Sequence, residues 1–141
     1  MEERKECGAL IKKINDEMEK NANNVLRAED LTFSQIGALL ELNSAPEGRL
    51  TLKELEKRLH VAQSTAAGIV SRLERKALVE AFGDPQDRRI KIIQITPKGI
   101  ERVQTADLHR MEAEELLLSG LTETEKTIFY SLLKKVYDTL Q

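Results

Sequence analysis

The 141-residue chain is one domain's worth of sequence, and 40% hydrophobic with 33% charged residues is the balance of a folded protein, not a disordered one. Its one cysteine excludes an internal disulfide and fits a reducing cytoplasm, and no apolar run approaches the roughly 18 residues needed to cross a bilayer. The net charge of −2 is unevenly spread: residues 49–98 hold 11 Lys/Arg against 6 Asp/Glu (+5), while the rest holds 11 against 18 (−7). A basic middle between acidic ends is expected where one part of a protein meets phosphates and the remainder stays clear.

The first predicted element is a helix from about Glu2 to Arg27, with Leu10, Ile11, Ile14, Met18, Ala22, Val25 and Leu26 at helical spacing. The charged start, "MEERKECGALIKKINDEMEK", does not read as a signal peptide. In "LTFSQIGALLELN", Thr32 and Gln35 have capping-box spacing, and Leu31 or Phe33 with Ile36, Leu39 and Leu40 are expected to face a core. "NSAPEGR" reads as a loop from Pro46 and Gly48.

"LTLKELEKRLHVAQSTAAGIVSRLERKALV" predicts two short helices with a break at His60-Val61-Ala62. The first is opened by Thr51 and Glu54 and buries Leu52, Leu55 and Leu59. The second runs from about Gln63 to Lys76 and buries Ala66, Ile69, Val70 and Leu73. This is a helix-turn-helix. Its second helix keeps Gln63, Ser64, Thr65, Gly68, Ser71, Arg72 and Arg75 off the buried face, small polar groups first and arginines after, which suits a helix entering the major groove end-first.

"LVEAF" then alternates as a strand, Gly83-Asp84-Pro85 turns the chain, and "RIKIIQI" returns. A hairpin directly after a helix-turn-helix is a wing, and Asp87, Arg88, Arg89 and Lys91 gather charge at its tip beside the groove. Thr96 caps the next helix, Pro97 enters its first turn, and it runs to about Leu118 before Ser119-Gly120. Thr122 with Glu125 starts a last helix whose Ile128, Phe129, Leu132, Leu133, Val136, Tyr137 and Leu140 form a broad apolar face. Both ends of the chain thus carry more apolar surface than a three-helix core needs. A homodimer built from the terminal helices, on a palindromic operator in double-stranded DNA, accounts for it.

These stretches resemble the MarR (multiple antibiotic resistance regulator) family of bacterial winged-helix transcription factors. "DPQDRRIKIIQITPKG" is similar to that family's wing signature, an Asp, any residue, an Arg, an apolar strand, then Leu/Ile-Thr-x-x-Gly. The resemblance spans about "LTFSQIGALLEL" to "IQITPKG". It implies a mainly α fold with a small β-hairpin wing: one domain over 1–141, with a winged helix-turn-helix at about 31–98 and dimerisation helices at about 2–27 and 98–140. It also implies a homodimeric regulator, most often a repressor, that small phenolic or other aromatic ligands frequently release from DNA. By the same resemblance Arg89 reaches a minor groove, Asp87 holds it, Arg72 meets phosphate or supports the wing, and Ser64 and Thr65 open the recognition helix.

Five positions depart from the family's pattern. Ala67-Gly68 stand where relatives carry longer base-reading residues, so readout is expected from Gln63, Ser64 and Thr65. Ala62 replaces a Ser/Thr cap, Ala77 a glycine at the helix end, and Ala81 a frequent arginine. One branch of the family senses peroxide through a cysteine in its first helix, which makes Cys7 the basis of an alternative, a redox-sensing regulator. A winged-helix module that binds protein is the other alternative, and the basic wing argues against it. His60 and His109 are too few and too separated for a metal site. With no nucleophile-and-base set and no glycine-rich phosphate loop, neither an enzyme nor a cofactor is expected.

Overall fold

Thr32, Thr51 and Thr122 each accept the backbone N–H of the residue three positions on, while Gln35, Glu54 and Glu125 return the bond to the threonine's own N–H. All three expected capping boxes are therefore present, and each opens a helix. The computed structural model describes residues 5–141, so the expected helix start at Glu2 lies outside the described residues. The elements run α1 (Cys7–Ala28), α2 (Phe33–Ser44), β1 (Arg49–Thr51), α3 (Leu52–Leu59), α4 (Gln63–Arg75), β2 (Val79–Gly83), β3 (Lys91–Ile95), α5 (Pro97–Leu117) and α6 (Glu123–Thr139). They fall into two units, one through Asp107 and one spanning Leu108–Gln141.

The first unit has a continuous core. Leu39, Leu42, Leu55, Leu73 and Ile93 are fully buried in it, and Leu31, Ile36, Leu50, Ile69, Val70, Leu78, Val79 and Val103 surround them. Ala66, Ile69, Val70 and Leu73 are the buried residues of α4, as its periodicity predicts. On α2 the expectation for Leu40 is corrected: it is exposed, as is Phe33, while Ala38 and Leu42 are buried instead. At about 100° per residue, Phe33 and Leu40 lie 100° or more round the helix from Leu39, on its shoulder.

The wing hairpin is part of a three-stranded antiparallel sheet of order β1-β3-β2. Leu50 pairs with Ile93, and Ile93 with Ala81. The segment expected to be only a loop thus ends in a strand. Pro46–Gly48 form a single 3-10 turn first, with Glu47 and Gly48 left-handed at φ 59° and 67°. Three residues are too few for alternation to be visible in sequence.

Three helices end on a left-handed residue that is not glycine: Asp30, His60 and Ala77, with φ of 56°, 55° and 61°. Each is followed by a Schellman bond, from Leu31 to Leu26, Val61 to Glu56 and Leu78 to Leu73. After α4 the chain is tied to the start of α5. The Thr96 hydroxyl donates to the Ala77 carbonyl (2.7 Å) and accepts the Gly99 N–H (3.1 Å), while the Lys98 ammonium donates to the Lys76 carbonyl (3.1 Å). A Cβ on Gly99 would stand 2.3 Å from the Leu78 carbonyl oxygen, so only glycine lets α5 approach this closely.

In the second unit α6 has no buried residue: Ile128, Leu132, Leu133, Val136, Tyr137 and Leu140 are all exposed. Leu10, Ile11, Ile14 and Met18 of α1, in the first unit, are likewise exposed. Among the described residues no helix is long and apolar enough to cross a membrane, and no cluster of His, Cys, Asp or Glu could hold a metal ion.

Candidate nucleic-acid interface

The turn between α3 and α4 follows from backbone need. His60 takes the left-handed position that closes α3, and Ala62 is extended at the N-cap of α4, where it offers no side-chain acceptor. Gln63, Ser64 and Thr65 follow on the exposed first turn, with their neighbour Ala66 buried. The core contacts of Ala66, Ile69, Val70 and Leu73 fix the rotation of α4, and so decide that Gly68, Ser71, Arg72 and Arg75 lie away from the core. Two of these make local contacts. Arg75 Nη2 donates to Ser71 Oγ at 3.4 Å, and Arg72 Nη1 lies 3.6 Å from where a Gly68 Cβ would be.

At the wing the expected strand starts too early. β3 begins at Lys91, which pairs with Gly83, and Asp87 to Ile90 form a turned tip. The Asp84 N–H donates to the Ile90 carbonyl at 2.8 Å and the Ile90 N–H to the Asp87 carbonyl at 2.9 Å, using up the groups a longer ladder would need. Gly83 lets the Arg88 backbone close over it; an added Cβ would stand 3.1 Å from the Arg88 carbonyl oxygen.

Within this tip Asp87 grips Arg89. Its Oδ1 accepts from the Arg89 backbone N–H at 3.1 Å and from Nε at 3.0 Å, and its Oδ2 accepts from Nη2 at 3.1 Å. The contact that the resemblance implies is present, and an Asx-type turn makes it. The Arg89 side chain is 91% exposed even while it is held. The Arg89 side chain, helped by the Arg89 N–H, draws the Asp87 carboxyl below its ordinary value, and Asp87 in turn raises the guanidinium. Arg88 and Lys91 are exposed beside the pair.

The sheet adds a residue that sequence reasoning missed. Arg49 on β1 donates to Gln94 at 2.8 Å and stacks 5.9 Å from the centre of the Phe82 ring, bracing the two outer strands across β3. Nothing in a three-residue strand signals that role. Lys76 is similar: its ammonium donates to Gln35 Oε1 at 2.9 Å and to the Asp30 carbonyl, joining α4 to the α1–α2 turn.

A helix-turn-helix followed by a hairpin with a fixed arginine is the geometry of a winged-helix DNA reader, and a MarR family model matches residues 29–90. The multiple antibiotic resistance protein MarR of Salmonella typhimurium is 30% identical over 132 residues, covering 92% of this chain and 89% of that protein. The chain belongs to the MarR family. Against the HTH-type transcriptional regulator YsmB of Bacillus subtilis it is 32% identical over 89 residues, 63% of this chain, and spans 61% of that protein's length, under two thirds. Among solved structures, MepR, a transcription regulator of the Staphylococcus aureus multidrug efflux pump MepA, superposes with a TM-score of 0.88 at 30% identity, over 96% of this chain and 99% of that one. A MepR variant bound to an oligodeoxyribonucleotide superposes at 0.76 with 31% identity, over 95% and 97%. The MarR-family fold, mainly helical with a winged helix-turn-helix, is therefore that of a bacterial transcriptional regulator.

Proposed function

We propose that the chain acts as a homodimeric, sequence-specific repressor on a palindromic operator in double-stranded DNA, released by a small-molecule effector. One domain would serve both tasks, with residues 31–98 on DNA and the helices at about 2–27 and 98–140 joining two copies. The observation that carries this reading is the Asp87–Arg89 lock. A cation held by two side-chain hydrogen bonds and still almost wholly exposed is organised for something outside the molecule, and it stands at the tip of a wing in a +5 segment. Arg89 enters a minor groove, Arg88, Lys91 and Arg75 meet phosphates, and Gln63, Ser64, Thr65, Gly68, Ser71 and Arg72 face the major groove. The oligonucleotide complex of the related MepR variant supports DNA as the partner over a protein. Cys7, the basis of the redox alternative, is exposed at the start of α1.

Substitution at the lock tests this. Arg89→Ala should weaken operator binding about tenfold and flatten its salt dependence. Asp87→Ala should also weaken binding, although loss of an acid near phosphates favours DNA on charge alone. Tighter operator binding by Asp87→Ala, measured by fluorescence anisotropy, would refute the lock. The sign of the pH effect follows from the lowered Asp87 pKa: the ionised pair is present above the ordinary aspartate value of 3.8 and is lost as pH falls through the lower folded value. Wing-dependent affinity should thus be flat in pH near neutrality.

A further inference from the structure

Away from the core, the second turn of α4 has no long side chain of its own, since Ala67 and Gly68 stand there and Ile69 and Val70 are buried. Arg72 occupies the space. Its Nη1 lies 3.6 Å from an added Gly68 Cβ, so the guanidinium has folded back about one turn, roughly 5.4 Å along the axis, over bare backbone. Helical side chains lean toward the N-terminus, which makes this direction the relaxed one. Packing does not require glycine at this position: a Cβ would meet only the flexible end of Arg72, at ordinary contact distance. Glycine in a helix interior is otherwise disfavoured. Arg75 leans back in the same way, but Ser71 takes one of its donors. Among the described residues no acceptor engages the Arg72 guanidinium, so its donors face outward.

We propose that Gly68 and Arg72 form one composite base-reading unit, in which Arg72, delivered to the level of residue 68, pairs with O6 and N7 of a guanine in the major groove. The inference rests on the DNA-binding reading above and deepens it. A planar fork of donors matches the two acceptors of guanine, and no other base offers that pair. A small residue at 68 leaves the arginine room to lie along the helix. A longer residue at 68 would lift the guanidinium off the helix face without changing the charge. Readout by this helix then extends beyond Gln63, Ser64 and Thr65, and Arg72 reads a base in addition to any phosphate it touches.

The test is selection from random duplex DNA by the full-length protein and its Arg72→Ala, Arg72→Lys, Gly68→Leu and Arg75→Ala variants, with thermal melts confirming that each is folded. The wild type should select a guanine at one position of each half-site. Arg72→Ala should lose discrimination there by about 5- to 150-fold and keep it elsewhere. Arg72→Lys and Gly68→Leu should lose the same preference while keeping the wild-type salt slope, since their charge is unchanged. Arg75→Ala should bind all sequences more weakly with the selected site unaltered. A wild type that selects no sequence overturns the DNA reading itself. A wild type that selects a site overturns the composite unit if Gly68→Leu retains the guanine, or if Arg72→Ala loses affinity evenly across sequences.

Discussion

Single residues carry most of what is unusual in this chain. The Asp87–Arg89 contact was legible in the sequence because opposite charges two positions apart match the wing signature of the resembling family. Its origin was not legible, since alternation in "RIKIIQI" suggests a strand where the chain actually turns. Ala77 was legible as a departure and is explained by the structure. It sits at φ 61°, in the left-handed region, directly after α4. A Cβ there costs roughly 1–2 kcal/mol, partly offset because glycine loses more freedom on folding. Ala77→Gly should therefore raise stability by about 0.5–1 kcal/mol in urea unfolding with an unchanged m-value. An unfolding midpoint below that of the parent chain would show that the residue is not strained.

Elements announced themselves where a side chain both starts and satisfies them. Thr32, Thr51 and Thr122 paired with Gln35, Glu54 and Glu125 located three helix starts, because a capping box is a local agreement between residues three apart. β1 has no such local cause; Leu50 is extended because Ile93 is waiting for it 43 positions later, and a short window cannot see that partner. The same limit hid the shoulder of α2, where Leu40 has the right residue type but the wrong angle to Leu39. α4 is the exception among the wing's helices, since its N-cap Ala62 makes no cap bond. Ala62→Ser should supply the missing acceptor to the first-turn N–H groups and stabilise by about 1 kcal/mol. A rise of about 3–4 °C in melting temperature by calorimetry is the expected readout, and no rise would mean those groups are already satisfied.

At the scale of the molecule the exposed apolar faces of α1 and of α6, each taken by itself, call for a partner surface. The proposal that a second copy supplies it gives a direct expectation. Sedimentation equilibrium should report a dimer at micromolar concentration, with an interface above about 2,000 Å². Tyr137→Glu and Leu133→Glu should shift it toward monomer and weaken operator binding in parallel; a stable monomer for the unaltered chain would remove the basis for two half-sites. The apolar stripes themselves were legible, because apolar residues at helical spacing are conspicuous in any sequence; where the first unit stops was not, since α5 carries no break in its pattern at Asp107. One junction within that first unit has a mechanical meaning. Thr96, Lys98 and Gly99 weld the opening turn of α5 to the carbonyls of Lys76, Ala77 and Leu78 just past α4. The 13-residue α4 runs about 20 Å from this weld, its buried face on the core, to the turn that carries Gln63, Ser64 and Thr65. On the proposed DNA-binding reading, a tilt of only about 10° at the weld would swing that end by about 3 Å, the full length of a hydrogen bond, enough to part the reading end from its bases.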